Sequence, residues 1–221
     1  ALGHSRGFPG SDKLVENIYG AFANVYLNQG RLDSAVYYYH KELAGSRLRR
    51  NRRDEADVLD NLAAAFLRYG TARQAQPYAQ QAYALLQADH DSIGLWHSNN
   101  RLGVIALRNG SPSAAHRHFQ QLVQLARLTH HPMQLPESYG KLAVAYEQLH
   151  QPDSARYYHA LACRLGTAQQ SPILGMLLAD AAGFAQRQHQ YAQAEALAHR
   201  ALALDEGRPN GLYSPKAWQA L

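Results

Sequence analysis

Asparagine and arginine recur along this sequence at related places: Asn24, Asn28, Asn61, Arg68, Asn100, Arg101 and Arg108, with His97 and Lys141 in the same series. Such side chains suit recognition. An asparagine amide donates and accepts at once, so a row of them can hydrogen-bond the backbone of an extended peptide whatever its sequence. Arginine engages a carboxylate through two parallel bonds. No residue set does the same for catalysis. The sequence has no HExxH, no GxxxxGK phosphate loop and no GxSxG nucleophile elbow. Two close histidine pairs, His116 with His118 and His130 with His131, have the wrong spacing for a metal. Residues two apart on a helix point about 200° away from each other, and no Cys, Asp or Glu stands four residues from any of these histidines. Cys163, the single cysteine, falls at a helix-packing position and reads as structural. No enzyme activity, cofactor or metal is expected.

The formal net charge is +5, and much of it comes from Arg47, Arg49, Arg50, Arg52 and Arg53. Asp54, Glu55 and Asp57 follow directly and dilute that field, so the cluster reads as a solvated linker between two helices. The competing reading is an anion or nucleic-acid contact, which would weaken steeply with salt. With 46% apolar and 18% charged residues the composition is globular rather than disordered. No apolar run approaches the roughly 18 to 20 residues that span a bilayer. Nucleic acid and membrane insertion are therefore not expected of this segment, and a protein or peptide is.

The elements that must position these side chains are set by an internal repeat. Gly30, Gly70, Gly110, His150 and His189 end similar helical patterns at intervals of 40, 40, 40 and 39 residues. Five residues after each comes an alanine (Ala35, Ala75, Ala115, Ala155, Ala194). Eight residues before each comes an apolar residue (Phe22, Leu62, Leu102, Leu142, Ala181), followed by a small one (Ala23, Ala63, Gly103, Ala143, Ala182). Four residues before each stand Tyr26, Phe66, Ala106, Tyr146 and Ala185. Spacings of three and four line one helix face, which must be buried. Small residues let the two helices of a pair approach within about 8 to 10 Å, and the turn position calls for a left-handed conformation that glycine adopts freely and His150 and His189 adopt under strain. Ser111 before Pro112, Gln151 before Pro152, Ser171 before Pro172 and Ser214 before Pro215 mark helix starts. Pro77 lies inside a predicted helix and predicts a kink or a late start there. Tyr37, Tyr38 and Tyr39 are predicted to pack between helices.

Segments such as YGAFANVYLNQGRLDSAVYYY and YGKLAVAYEQLHQPDSARYY resemble tetratricopeptide repeats over nearly the whole chain, and the 40-residue unit resembles the long-repeat subclass of bacterial signalling proteins. The resemblance implies an all-α fold, a right-handed α-α superhelix of five helix pairs plus the first part of a sixth. The chain then reads as one domain over 1–221, with repeats near 12–50, 54–90, 92–130, 134–168 and 171–206 and a partial one at 214–221. Repeats three and five depart from the pattern through Ala106 and an alanine-rich fifth repeat, and are expected to pack more thinly. Asn24, Asn61 and Arg101 occupy the places of the carboxylate clamp of chaperone-binding relatives, although Gly20 and His97 stand where that clamp has lysines.

In such a stack the first helices line the concave surface, so the opening series of residues becomes a groove for an extended peptide or a partner helix. The module is expected to be the recognition region of a larger bacterial signalling or regulatory protein. The alternative is a scaffold or dimerisation spacer with no groove ligand. Trp218 and Leu221 fall 40 residues after Leu178 and Ala181, so 214–221 reads as the opening of a sixth first helix whose apolar face needs cover. That implies a chain continuing past Leu221, or a homodimer formed through this end. Ala1 and Leu2 read as the tail of an earlier helix.

Overall fold

A computed structural model describes residues 11–129 and 134–205. Among the described residues there are ten helices and no strand. None of these helices is long and apolar enough to cross a membrane. The chain forms two compact units that meet in sequence at Asn109 and Gly110. The first holds α1 (Ser11–Asn28), α2 (Leu32–Leu48), α3 (Arg52–Tyr69), α4 (Ala72–Ala88) and α5 (Ser92–Arg108). The second holds α6 (Pro112–Leu128), α7 (Gln134–Gln148), α8 (Pro152–Ala168), α9 (Leu174–Arg187) and α10 (Tyr191–Asp205). Within each unit every helix packs on the next, and α3 also meets α5 as α7 meets α9. The sixth first helix expected at 214–221, the earlier helix expected at Ala1 and Leu2, and the start expected at Ser214–Pro215 lie outside the described residues.

The alanines that recur five residues after each turn are all buried: Ala35, Ala75, Ala115, Ala155 and Ala194. So are the small residues Ala23, Ala63, Gly103, Ala143 and Ala182. Only side chains of that size let two helix backbones close to packing distance, and the larger neighbours fill the space beside them. An aromatic from the first helix stacks on a tyrosine 12 residues later in three of the pairs: Tyr26 on Tyr38, Phe66 on Tyr78, and Tyr146 on Tyr158, with interplanar angles of 8°, 8° and 6°. The fifth pair has Ala185 and Leu197 at these places. Of the tyrosine run, Tyr39 is fully buried and Tyr38 half-buried, whereas Tyr37 is exposed.

Several expectations change in the structure. Phe22 is 46% exposed, while its equivalents Leu62, Leu102, Leu142 and Ala181 are buried. The reason is positional: Val58 and Leu62 of α3 are covered in a cluster that includes Tyr39 and Leu43 of α2, and no described helix precedes α1 to do the same. Gly30 and Gly110 do take positive φ (+74° and +71°), as do His150 (+56°) and His189 (+59°). Gly70 does not; its φ is −117°, because the Thr71–Gln74 capping box opens α4 immediately after it. That box also starts α4 at Ala72, so Pro77 sits inside the helix and does not delay its start. Pro112 and Pro152 open α6 and α8 as expected, whereas α9 begins two residues after Pro172, at Leu174.

Candidate partner-binding site

The series of asparagines and arginines lies mostly on the first helices of the first unit. Asn24 and Asn28 stand on α1, Asn61 and Arg68 on α3, and His97, Asn100, Arg101 and Arg108 on α5; Lys141 stands on α7 of the second unit. Asn24, Asn28, Asn61, Arg68, His97 and Arg108 are exposed, and Asn100, Arg101 and Lys141 are half-buried. The arginines do not wait for a partner's carboxylate. Arg101 forks onto Asp60, with Nε donating to Oδ1 at 3.0 Å. Arg68 donates to Asn28 Oδ1 at 3.3 Å, and Arg108 donates to the Leu67 carbonyl. Each of these bonds reaches back 40 or 41 residues, one repeat, and therefore ties neighbouring first helices together. In the second unit Arg187 reaches Glu147 in the same way. Glu147 also bonds His159 Nε2 at 2.7 Å, and although burial opposes it, His159 and Arg187 hold its carboxyl below the usual carboxylate range.

The asparagines keep more of their capacity. Asn24 is exposed, and its Oδ1 accepts from the Tyr39 hydroxyl at 2.6 Å. Asn61 has no hydrogen-bond partner among the described residues and lines a cavity of about 150 Å³ with Asn17, Glu16, Glu42, Asp57 and the paired Lys13 and Asp54. Burial, and then the neighbouring Glu16 carboxylate, push the Glu42 carboxyl up to about 7. Glu42 Oε2 is buried without a hydrogen-bond partner among the described residues. Glu16 is paired with Arg49, whose Nε lies 2.8 Å from Oε1, and Arg49 bonds Asp54 at 2.7 Å. Two glycines make the room: a Cβ on Gly20 would fall 2.6 Å from Glu42 Oε1, and one on Gly45 2.4 Å from Glu16 Cγ.

The carboxylate-clamp places are surrounded by charges of both signs, with Lys13 and Arg49 paired to Asp54 and Glu16 beside Glu42 and Asp57. Gly20 admits the Glu42 carboxyl where the clamp has a lysine, and a carboxylate brought to Asn61 would meet Glu42 and Asp57 as well as the Lys13–Asp54 pair. The basic cluster changes in character too. Arg47 pairs with Glu55, Arg49 with Glu16 and Asp54, Arg52 with Asp89, and Arg53 with Asp91; Arg50 makes the left-handed turn that ends α2. Most of these guanidiniums are thus paired within the chain, although Arg47, Arg52 and Arg53 stay at least half exposed.

No family model matches the sequence, and no curated protein matches it either. Solved structures do match over most of its length. The nearly identical TPR-like repeats of a Podosopora anserina kinesin light chain superpose with a TM-score of 0.70 at 18% identity, covering 90% of this chain and 98% of that one. Aspartyl phosphate phosphatase F from Bacillus subtilis gives a TM-score of 0.83 at 15% identity, covering 95% of this chain and 55% of that one. A Rap protein complexed with Competence and Sporulation Factor gives 0.82 at 12% identity, over 94% of this chain and 58% of the other. The chain thus spans just over half the length of the last two. In fold, it is a tetratricopeptide-type protein built of stacked helix pairs.

Proposed function

We propose that residues 1–221 act as one protein- or peptide-binding domain, the recognition region of a larger bacterial signalling or regulatory protein. It holds an extended peptide or partner helix along its first helices. The observation that carries this reading is the exposed row Asn24, Asn61 and His97, whose amides and imidazole are presented by successive first helices while the arginines between them brace the helices. The acidic cavity beside Asn61 favours a peptide with a basic side chain at that point. The resemblance to a Rap protein solved with a bound factor supports the same use of the fold.

The test is selection of a random-peptide display library on the immobilised chain. It is followed by calorimetric titration of a selected peptide against the chain carrying Asn24→Ala, Asn61→Ala and His97→Ala. Affinity should fall by at least about tenfold with an unchanged circular dichroism spectrum. Failure to select any peptide, or a peptide indifferent to the three substitutions, would sink the groove reading.

A second reading, a spacer that associates with another helix, is favoured by one feature of α1. Leu14, Val15, Ile18, Phe22 and Val25 form an exposed apolar row on it. On this reading, light scattering shows concentration-dependent association that Ile18→Glu with Phe22→Glu removes. A monomer at every concentration rejects it.

A further inference from the structure

In the fourth helix pair the space between α6, α7 and α8 is filled by the protein's own rings. Tyr158 stacks on Tyr146 at 5.3 Å between centroids, and His116 sets its edge against Tyr146 at 4.8 Å. One period later those three places hold Leu197, Ala185 and Arg156. Two rings have become small aliphatic groups and the third a cation. The result is a cavity of about 290 Å³ between α8, α9 and α10.

Its floor is Ala181, Phe184 and Ala185 of α9, with Cys163 of α8 and Leu197 of α10 on either side. Phe184 is fixed by His159, stacked on it at 5.2 Å. Arg156, Arg164 and Arg200 stand around the opening, and no carboxylate is among the residues that line it. Arg156 shares the exposed Asp153 at 2.9 Å, whereas Arg164 and Arg200 have no ion-pair partner among the described residues. In the fourth pair the places of Arg164 and Arg200 are taken by Gln124 and Leu161, so the charge arrives together with the cavity. Burial among these apolar groups pushes the Cys163 thiol up to about 11, which makes it an inert wall and not a nucleophile.

An apolar space floored by Phe184, with arginines among its lining residues, matches a ring carrying an acid. At this volume, near the lower limit of about 300 Å³ for ligand pockets, the ring is single and its acid arm short. We propose that the cavity between α8, α9 and α10 binds a small aromatic carboxylate, its ring against Phe184 and Ala185 and its carboxylate held by Arg164 and Arg200. The site is separate from the first-helix row of the first unit and does not depend on its function. The same chemistry is offered by a free aromatic acid and by the C-terminal aromatic residue of a peptide.

Ligand-observed NMR titrations of the full chain with 3-phenylpropionate, with its primary amide, and with acetyl-Gly-Ser-Phe bearing a free C-terminus test this. At least one of the two carboxylates should bind, and at least about tenfold more tightly than the amide. Tighter binding of the free acid identifies a small molecule, and tighter binding of the peptide a chain end. Ala185→Tyr with Leu197→Tyr, which rebuilds the stack of the fourth pair, should abolish binding while keeping the helical spectrum. Arg164→Gln with Arg200→Gln, both at exposed positions that leave the packing intact, should bring the carboxylate down to the level of the amide. No binding of either carboxylate up to about 10 mM overturns the proposal. So does binding that survives the arginine substitutions, or that survives in a folded filled variant.

Discussion

Glu42 is an acid placed where ionisation is penalised by burial and by the Glu16 carboxylate, with its carboxyl near 7 against an ordinary value of 4.5. A folded state that holds its proton more tightly than the unfolded chain gains stability at low pH. That gain is complete below about pH 4.5 and lost as pH rises through about 7. Glu42→Gln should therefore leave stability at pH 5 nearly unchanged and raise it at pH 8 by about 1–2 kcal/mol, after discounting for solvent screening of a half-buried group. Urea denaturation of both proteins at the two pH values measures this. His150 offers a second residue-scale test. Its φ of +56° is strained for a side chain with a β-carbon, and among the described residues no hydrogen bond of its side chain holds it there. His150→Gly should stabilise by about 0.5–1 kcal/mol in the same assay. His189→Gly should gain less, because His189 Nδ1 has the Tyr191 hydroxyl at 3.0 Å.

At the scale of elements, much of the fold was legible because a helix pair has few ways to pack. Ala35 and its four equivalents could be marked as contact points before any coordinate was known, and all are buried. Sequence reasoning failed where burial depends on a neighbouring element and not on the residue. Phe22 has the pattern of a core position, and no described helix covers it. The candidate site was half legible for a related reason. The asparagines and arginines are where the period puts them, yet whether an arginine is free depends on the residue one repeat behind it. Subtracting the period would have paired Arg101 with Asp60 and Arg187 with Glu147. Glu42 was missed because its signal lies in Gly20, which reads in the sequence only as the place of a clamp lysine and in the fold makes room for the Glu42 carboxyl. The stacked rings also give a prediction for elements. Tyr158→Ala removes a ring from the Tyr146 stack and should cost about 2–4 kcal/mol, whereas Leu197→Ala, beside an existing cavity, should cost about 1–2 kcal/mol. Thermal unfolding followed by circular dichroism compares them.

At the scale of the whole molecule, the formal charge of +5 is not gathered in the arginine cluster. Four of the five clustered arginines already have carboxylate partners within the chain. Fluorescence anisotropy with a labelled DNA duplex should accordingly show no binding at about 0.15 M salt. Saturable binding there that weakens on Arg52→Ala with Arg53→Ala would restore the nucleic-acid reading.

The arginine ties that reach back one repeat bear on how such a chain can grow. Arg68 to Asn28, Arg101 to Asp60, Arg108 to Leu67 and Arg187 to Glu147 all join residues 40 or 41 positions apart. Because each tie reaches outside the 40-residue block that carries its arginine, a tandem duplication of one block would set the copies of Arg68 and Arg187 against an arginine, whereas a duplication of two blocks carries arginine and acceptor together. An insertion of half a block would set a second helix where the acceptor should be and strand the cation. Growth is thereby steered to double-period steps, and the ties act as a reading frame for the evolution of length.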